Sequence, residues 1–218
     1  MEKSSSTVHS SSSTYNAEDP HLQSKMKQLQ TLNSALLGLN SLSLLMGLTI
    51  LGVSANTLKV HHRTSLPEQE YFISLWPEEF NIRPTVALVA GSVFVVLSNV
   101  ISLVCGKLSS MRSKQVLINT TCAIMGLIAA LVAVILFYAV NASESVDTFT
   151  SWTCRWKHVA MSQEPHWGTL CEQSYAALYL GVLLIPLEVV SIGLGVWIGR
   201  LGGYVERYEG AKKSPALS

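Results

Sequence analysis

Charged residues are scarce in this chain: they make up 13% of its 218 residues, and four long segments contain almost none. The segments run roughly over residues 32–54, 84–106, 115–140 and 175–198, and none contains Lys, Arg, Asp or His. Each is near the ~20 apolar residues needed to cross the ~30 Å hydrocarbon core of a bilayer. The lack of charge therefore excludes a large soluble domain and predicts four transmembrane helices.

The sequence also offers little support for several other classes of function. A net charge of +1 argues against a nucleic-acid partner. Residues 1–20 are Ser-rich without an apolar core, so no cleavable signal peptide is expected. The spans hold no histidine and a single carboxylate, which leaves no acid–base pair for catalysis within the membrane. We expect neither a metal nor a cofactor, because the four histidines of the predicted outer loops match no standard ligand motif and should be exposed to solvent. They are His61, His62, His158 and His166.

The chain divides into a Ser-rich, partly disordered tail over residues 1–31, a membrane domain over 32–198 and a second tail over 199–218. Lys and Arg mark the side of a membrane protein that stays in the cytosol. Ten of the fifteen lie in the two tails and the short second connection, whereas five lie in the longer first and third loops. Both termini are therefore predicted to be cytosolic and the other two loops exoplasmic. The protein is expected in the plasma membrane or elsewhere in the secretory pathway.

Each span carries a stripe of small and polar residues that recurs at alternating steps of three and four. Such a stripe lets helix backbones approach closely and supercoil with a left-handed twist. In chain order the stripes consist of Asn33, Leu36, Asn40, Ser43, Gly47, Ile50 and Ser54; Thr85, Leu88, Ser92, Val95, Asn99, Ser102 and Gly106; Asn119, Cys122, Gly126, Ala129 and Ala133; and Ala177, Gly181, Leu184, Glu188, Ser191, Gly195 and Ile198. The prediction is an all-α membrane protein, a left-handed bundle of four transmembrane helices with these stripes facing inward.

Four stripe residues form a predicted intramembrane polar cluster: Asn40, Asn99, Asn119 and Glu188. Counted in helix turns, all four fall in the cytosolic half of the bundle, and the apolar outer half disfavours a continuous polar pore. A carboxylate at membrane depth costs roughly a few kcal/mol, so Glu188 is expected to be neutral or held by donors, and its protonated form could donate to Asn99. Pro186 should kink the fourth span and free a carbonyl nearby. Two interpretations stay open: a proton or ligand site, or a neutral acid that fixes helix register.

The third loop, residues 141–174, carries Cys154 and Cys171. In an oxidising compartment this pair should form a disulfide, which contributes ~3 kcal/mol in the entropic model. The same loop is rich in the residue types that dominate protein–protein hot spots and interfacial anchoring. These candidate partner-binding residues are Trp152, Arg155, Trp156 and Trp167. The loop is either a small cap packed on the helix ends or a partner-binding surface.

The first loop, residues 55–83, has no cysteine but contains the pattern of a short exoplasmic helix. A capping box at residues 65–68 would begin the helix, and Pro77 would end it. Its aromatic and apolar face consists of Tyr71, Phe72, Leu75 and Trp76. We expect that face to lie against lipid or against the third loop.

Four spans, a short second connection and a cysteine pair in the last outer loop resemble the tetraspan architecture of MARVEL, occludin-like and related B-cell four-span proteins. The stretch from Trp152 to Tyr175, with Gly168-Thr169-Leu170-Cys171, is also similar to uncharacterised four-span proteins of filamentous fungi. Tetraspanins are disfavoured because their Cys-Cys-Gly motif is missing, and claudins because their paired cysteines belong in the first loop. The resemblance implies a fold and carries over no catalytic residue.

The function favoured by these features is that of a non-enzymatic, tetraspan-like membrane protein that organises partners or lipids laterally. Its expected partners are membrane lipids together with another protein or a second copy of the chain. The first alternative is a small-molecule or ion transporter that uses Glu188. The second is an integral-membrane enzyme that acts on a lipophilic substrate.

Overall fold

The computed structural model describes residues 20–65, 76–77, 79–107, 115–142, 146–159 and 165–213 of the chain. Five helices and two short strands make up these regions. In chain order they are α1 (Pro20–Thr64), β1 (Phe80–Asn81), α2 (Arg83–Lys107), α3 (Gln115–Ala142), β2 (Asp147–Thr148), α4 (Phe149–Arg155) and α5 (Trp167–Lys213).

Four of the helices, α1, α2, α3 and α5, are long and apolar enough to cross a membrane, as predicted. The first and last extend well beyond the predicted spans, with 45 and 47 residues. At 1.5 Å per residue each measures roughly 70 Å, about twice the thickness of the hydrocarbon core. Residues 20–31 and 199–213, assigned above to the tails, are therefore helical. The sequence has no internal helix breaker between residues 21 and 37, so the first helix continues into its polar flank.

Each long helix packs against two neighbours. Helix α1 contacts α2 and α5, and α3 contacts the same two helices from the opposite side, while α2 and α5 barely touch. Consecutive helices are thus adjacent around the interior, and the chain closes the ring where α5 meets α1. This arrangement brings one face of every long helix to a shared centre.

The stripe residues occupy that centre in α1, α2 and α5. All seven in α5 are buried, as are six of seven in α1 and in α2, where Asn33 and Gly106 at the helix ends are exposed. In α3 the prediction was wrong by one position at two steps: Ala123 and Ala130 are buried, whereas Cys122 and Ala129 are half-buried. The predicted stripe and the buried face both begin at Asn119 and recur at steps of three and four. Both consist of small residues, so the sequence did not distinguish them.

Close approach of the helix backbones depends on glycine at a few positions. A Cβ atom added at Gly91 in α2 would lie 2.9 Å from Ala133 Cβ and 3.1 Å from the Ala129 carbonyl oxygen in α3. A Cβ atom at Gly195 in α5 would lie 2.6 Å from Thr120 Oγ1, also in α3. Helix α3 therefore packs against α2 at a distance that only glycine allows, whereas a larger residue at Gly195 would require the Thr120 hydroxyl to move.

The outer surface of the long helices is covered by large apolar side chains. Exposed examples occur on every long helix: Leu45, Leu97, Ile135 and Leu183. A soluble protein rarely exposes so extensive an apolar surface, whereas a membrane protein presents it to lipid. The inward polar and outward apolar pattern therefore agrees with a multi-pass membrane protein.

One end of the molecule is closed by the two loops that precede α2 and α5. Strands β1 and β2 pair in parallel, with Phe80 opposite Asp147 and Asn81 opposite Thr148. Neither strand was predicted from the sequence. The short helix predicted in the first loop lies outside the described residues apart from Ser65, Trp76 and Pro77 at its limits. The short helix that is described, α4, belongs to the third loop.

Candidate functional site

A chain of three polar side chains crosses the interior between α1, α2 and α3. The amide nitrogen Nδ2 of Asn40 donates to Ser102 Oγ at 2.8 Å, and the Ser102 hydroxyl donates to Asn119 Oδ1 at 2.7 Å. All three side chains are buried. Two of the predicted cluster residues are therefore joined through a serine that the candidate cluster did not include. We call this set the polar chain.

The polar chain lies at the inner wall of a cavity of about 260 Å³. The cavity is at the end of the molecule where α1 and α3 begin and α2 ends. Besides the polar chain, its polar lining comprises Gln30, Asn33, Ser34 and Gln115. This is the half in which the predicted polar residues gather, and the lining offers amides and hydroxyls rather than charges.

Glu188 on α5 forms the second half of the predicted cluster. Its side chain is 2% exposed, and Ser43 of α1 and Asn99 of α2 lie close enough to interact with the carboxyl group. Neither forms a hydrogen bond to Oε1, which has no partner among the described residues. The amide of Asn99 instead donates to the Val95 carbonyl at 2.9 Å. Glu188 thus meets two other helices through polar groups that are not fully paired.

The backbone of α3 makes room for this carboxyl group at Gly126. A Cβ atom added there would lie 3.2 Å from Glu188 Cδ and 3.2 Å from Oε1. Any larger residue at this position would press directly on the acid. Helix α5 continues through Pro186, so the proline does not end the helix that carries Glu188. The four helices therefore all contribute to the surroundings of one carboxyl group.

Apolar layers close the interior on the other side of the polar residues. One layer consists of Val95, Ala130 and Leu184. The next consists of Ile50, Leu88, Ala133, Phe137, Ala177 and Leu178. Such layers resist water and ions because their apolar side chains offer no hydrogen bonds to a polar or charged group that enters. The polar chain consequently lies on the cavity side of these layers, and Glu188 is buried outside the cavity lining.

An aromatic cluster covers the opposite end of the helices. Its members come from both loops and the adjoining helix ends, and we call it the aromatic cap: Trp76, Phe80, Phe149, Trp167 and Leu170. Ring centroids are 5.4 Å apart between Trp76 and Phe149 and 5.2 Å apart between Trp76 and Trp167. Aromatic pairs at such distances add about 0.5–1.5 kcal/mol beyond the area that they bury.

Two residues near the end of α1 join the aromatic cap to that helix. His61 stacks on Phe80 with centroids 5.0 Å apart, and Trp76 Nε1 donates to Thr64 Oγ1 at 3.0 Å. The expectation of solvent exposure was therefore wrong for His61, which is half-buried, whereas His62, His158 and His166 are exposed. In the described part of the chain no group of three His, Cys, Asp or Glu residues is placed to hold a metal ion.

Helix α4 is fixed to the molecule at both ends. Thr148 caps its start in a capping box with Ser151, and the carboxylate of Asp147 accepts two hydrogen bonds from Arg155, at 2.9 and 3.3 Å. A disulfide joins Cys154 of α4 to Cys171 of α5, with their Cα atoms 4.9 Å apart. The predicted cysteine pair is thus confirmed, and it attaches α4 to the start of the last long helix.

The four candidate partner-binding residues occupy different environments. Trp167 is 5% exposed and belongs to the aromatic cap, so it offers no surface to a partner. Trp152 is half-buried beneath the Arg155 guanidinium, whose carbon Cζ lies 5.8 Å from the ring centroid. Arg155 and Trp156 are exposed. The sequence could not separate them because all four share the residue types of hot spots.

Ser102 and Ser43 are the residues that the candidate cluster left out. Both lie in the predicted stripes, and Ser102 provides the link between the two asparagines. The signal that could have identified them is position: each stands three residues from a cluster residue on the same stripe.

Comparison of the chain with protein-family models, with curated proteins and with solved structures finds no match.

Proposed function

We propose that this chain is a non-enzymatic, tetraspan-like membrane protein that organises other membrane components laterally, with a protein partner held at its capped end. In this proposal the four long helices form a left-handed bundle, both termini are cytosolic and the aromatic cap is exoplasmic. The disulfide supports that orientation, because such bonds persist in oxidising compartments. The distribution of Lys and Arg supports it independently.

The observation that carries the proposal is the exposed edge of the disulfide-bonded helix α4. Trp156 is 41% exposed immediately after the helix, beside Arg155 and near the exposed Val159. The disulfide and the Asp147 ion pair hold this edge in place before any partner arrives. A partner therefore gains contact with a tryptophan and an arginine at a small cost in conformational entropy.

The buried polar groups and apolar layers of the interior also support an organising function. The polar chain uses its groups to join helices, and the apolar layers lie between it and the capped end. Lateral organisation needs a rigid scaffold with an exposed recognition surface rather than a passage. A protein partner is accordingly a better fit to the geometry than a transported solute.

Site-specific photo-crosslinking in intact membranes tests this proposal. A photoreactive amino acid at Trp156 should give a discrete protein adduct, and Arg155→Ala should abolish it. The matched control places the same group at Leu183, which is also exposed and lies on the lipid-facing side of α5. Lipid adducts alone at both positions would contradict a protein partner at the cap. An adduct with the mass of two chains would identify the partner as a second copy.

Transport is the second candidate function, because one specific observation favours it. Glu188 Oε1 is buried without a hydrogen-bond partner among the described residues, and polar groups from neighbouring helices surround it. A carboxyl group in that position is suited to proton exchange coupled to opening of the bundle. A proton flux into proteoliposomes that Glu188→Gln abolishes would favour transport. An equal proton flux into liposomes without the protein would exclude transport.

A further inference from the structure

A groove with a basic rim lies on the outside of the molecule, between the first turns of α1 and the C-terminal half of α5. Its volume is about 730 Å³, within the ~300–1,000 Å³ of typical ligand sites. We call it the basic groove; it is lined by Lys25, Gly193, Val196, Trp197, Arg200, Leu201 and Tyr204. It is at the opposite end of the long helices from the aromatic cap and shares no residue with the sites described above.

The lining follows directly from the sequence of α5. Steps of three and four from Gly193 to Tyr204 place six of these residues on one helix face. The polarity of that face increases along the helix: glycine and valine come first, Trp197 follows, and Arg200 and Tyr204 come last. Trp197 is 57% exposed, in the position expected for an aromatic residue at a membrane–water interface.

No acid in the described part of the chain neutralises the charges in the basic groove. Arg200 comes from α5 and Lys25 from α1, so the two cations approach the groove from different helices. Among the described residues the lining contains no acid, and neither cation forms an ion pair. An apolar floor with two unpaired cations at one end matches a molecule with acyl chains and an anionic head.

We propose that the basic groove binds an anionic phospholipid of the leaflet at this end of the molecule. The acyl chains lie along Gly193 and Val196, and Lys25 and Arg200 hold the headgroup phosphate and its additional negative charge. Basic pockets between helices at a membrane surface recognise anionic lipids by this combination of charge and apolar contact. The site goes beyond the proposed organiser function and does not depend on a partner at the aromatic cap.

Lipid titration followed by native mass spectrometry of the full-length protein tests the charge requirement. Phosphatidylserine should bind more tightly than phosphatidylcholine, and Lys25→Gln or Arg200→Gln should each weaken phosphatidylserine binding about fivefold. Arg207→Gln is the matched control, because this exposed arginine is on the same helix but does not line the groove. An equal loss with Arg207→Gln would show diffuse surface attraction and overturn the proposal.

A second pair of variants tests the groove without changing any charge. Nothing lies within 4 Å of a Cβ atom added at Gly193, so Gly193→Leu should fill the groove without disturbing the fold. It should remove tight phosphatidylserine binding while both cations remain. Gly52→Leu, at a glycine that is equally open and outside the groove, should leave binding unchanged.

Three results would overturn the lipid assignment: unchanged binding in Gly193→Leu, phosphatidylcholine binding as tight as phosphatidylserine, or full displacement by chainless glycerophosphoserine. The groove variants should leave the protein crosslink from Trp156 intact. Loss of lipid binding with an intact crosslink would support both proposals separately. Loss of the crosslink with unchanged lipid binding would contradict the protein partner and not the lipid site.

Discussion

Gly91→Ala tests whether the backbones of α2 and α3 approach so closely at Gly91 that no side chain fits between them. The added methyl group would lie 2.9 Å from Ala133 Cβ, whereas carbon atoms in optimal contact are ~3.5–4.0 Å apart. Neither facing atom can rotate away, because one is a Cβ atom and the other is the backbone oxygen of Ala129. The helices must therefore separate by roughly 0.6–1 Å at this point.

Overpacking of this kind costs about 1–3 kcal/mol, and the better helix propensity of alanine returns up to about 1 kcal/mol. A net loss of about 1–2 kcal/mol corresponds to a fall in Tm of roughly 2–8 °C for a chain of this size. The assay is thermal unfolding of the purified protein, monitored by size-exclusion chromatography. Gly52→Ala is the control, because nothing lies within 4 Å of its added Cβ atom. It should unfold at the wild-type temperature or above.

Rescue provides the stricter comparison. Ala133→Gly removes the methyl group that faces Gly91, so Gly91→Ala should lower the Tm much less in the Ala133→Gly background than in the wild type; the single variant Ala133→Gly supplies the reference, because glycine itself weakens the helix. If Gly91→Ala proves as stable as Gly52→Ala, the close approach of the two helices is refuted. A large loss that Ala133→Gly does not relieve would show that the Ala129 carbonyl, rather than the facing methyl group, sets the distance.

Three further predictions concern polar and covalent links. Glu188→Gln should assemble normally while Glu188→Leu gives less monodisperse protein on gel filtration, because only glutamine keeps a polar group against the neighbouring helices; equal behaviour would contradict a role in helix register. Ser102→Ala removes two buried hydrogen bonds and should lower stability by about 1–2 kcal/mol in thermal unfolding, with no change expected for an exposed serine such as Ser24. Cys154 and Cys171 should resist thiol labelling until reduced, and Cys154→Ser should cost ~3 kcal/mol; free labelling of both without reductant would rule out the disulfide.

The features that the sequence predicted well depend on composition and period. Long uncharged segments determine four apolar helices, and the alternation of three and four identifies the inward face of α1, α2 and α5. The cysteine pair was predictable because both cysteines occur in the third loop, for which the charge distribution predicts an oxidising compartment. Helix α3 was harder to orient, since Cys122 and Ala123 are both small enough to pack inward.

The features that the sequence did not reveal depend on contacts between distant segments. Pairing of β1 with β2 joins residues more than sixty positions apart through two residues each, which leaves no periodic signal. The burial of Trp167 follows from packing against Trp76 and Phe149, and its residue type alone suggests an exposed anchor equally well. The basic groove likewise needs Lys25 of α1 beside α5, an adjacency that only the tertiary structure provides.

The two halves of the buried polar cluster connect different helices, which argues for a shared role in fixing register. The polar chain joins α1, α2 and α3 and does not include α5. Glu188 supplies the missing connection, since it places a polar group of α5 near Ser43 of α1 and Asn99 of α2. Helix faces made of small residues offer similar packing after a shift of one heptad, because glycine, alanine and serine recur at each step. A hydrogen-bonding group in an apolar medium loses its partner after such a shift, so a few polar contacts can select one alignment.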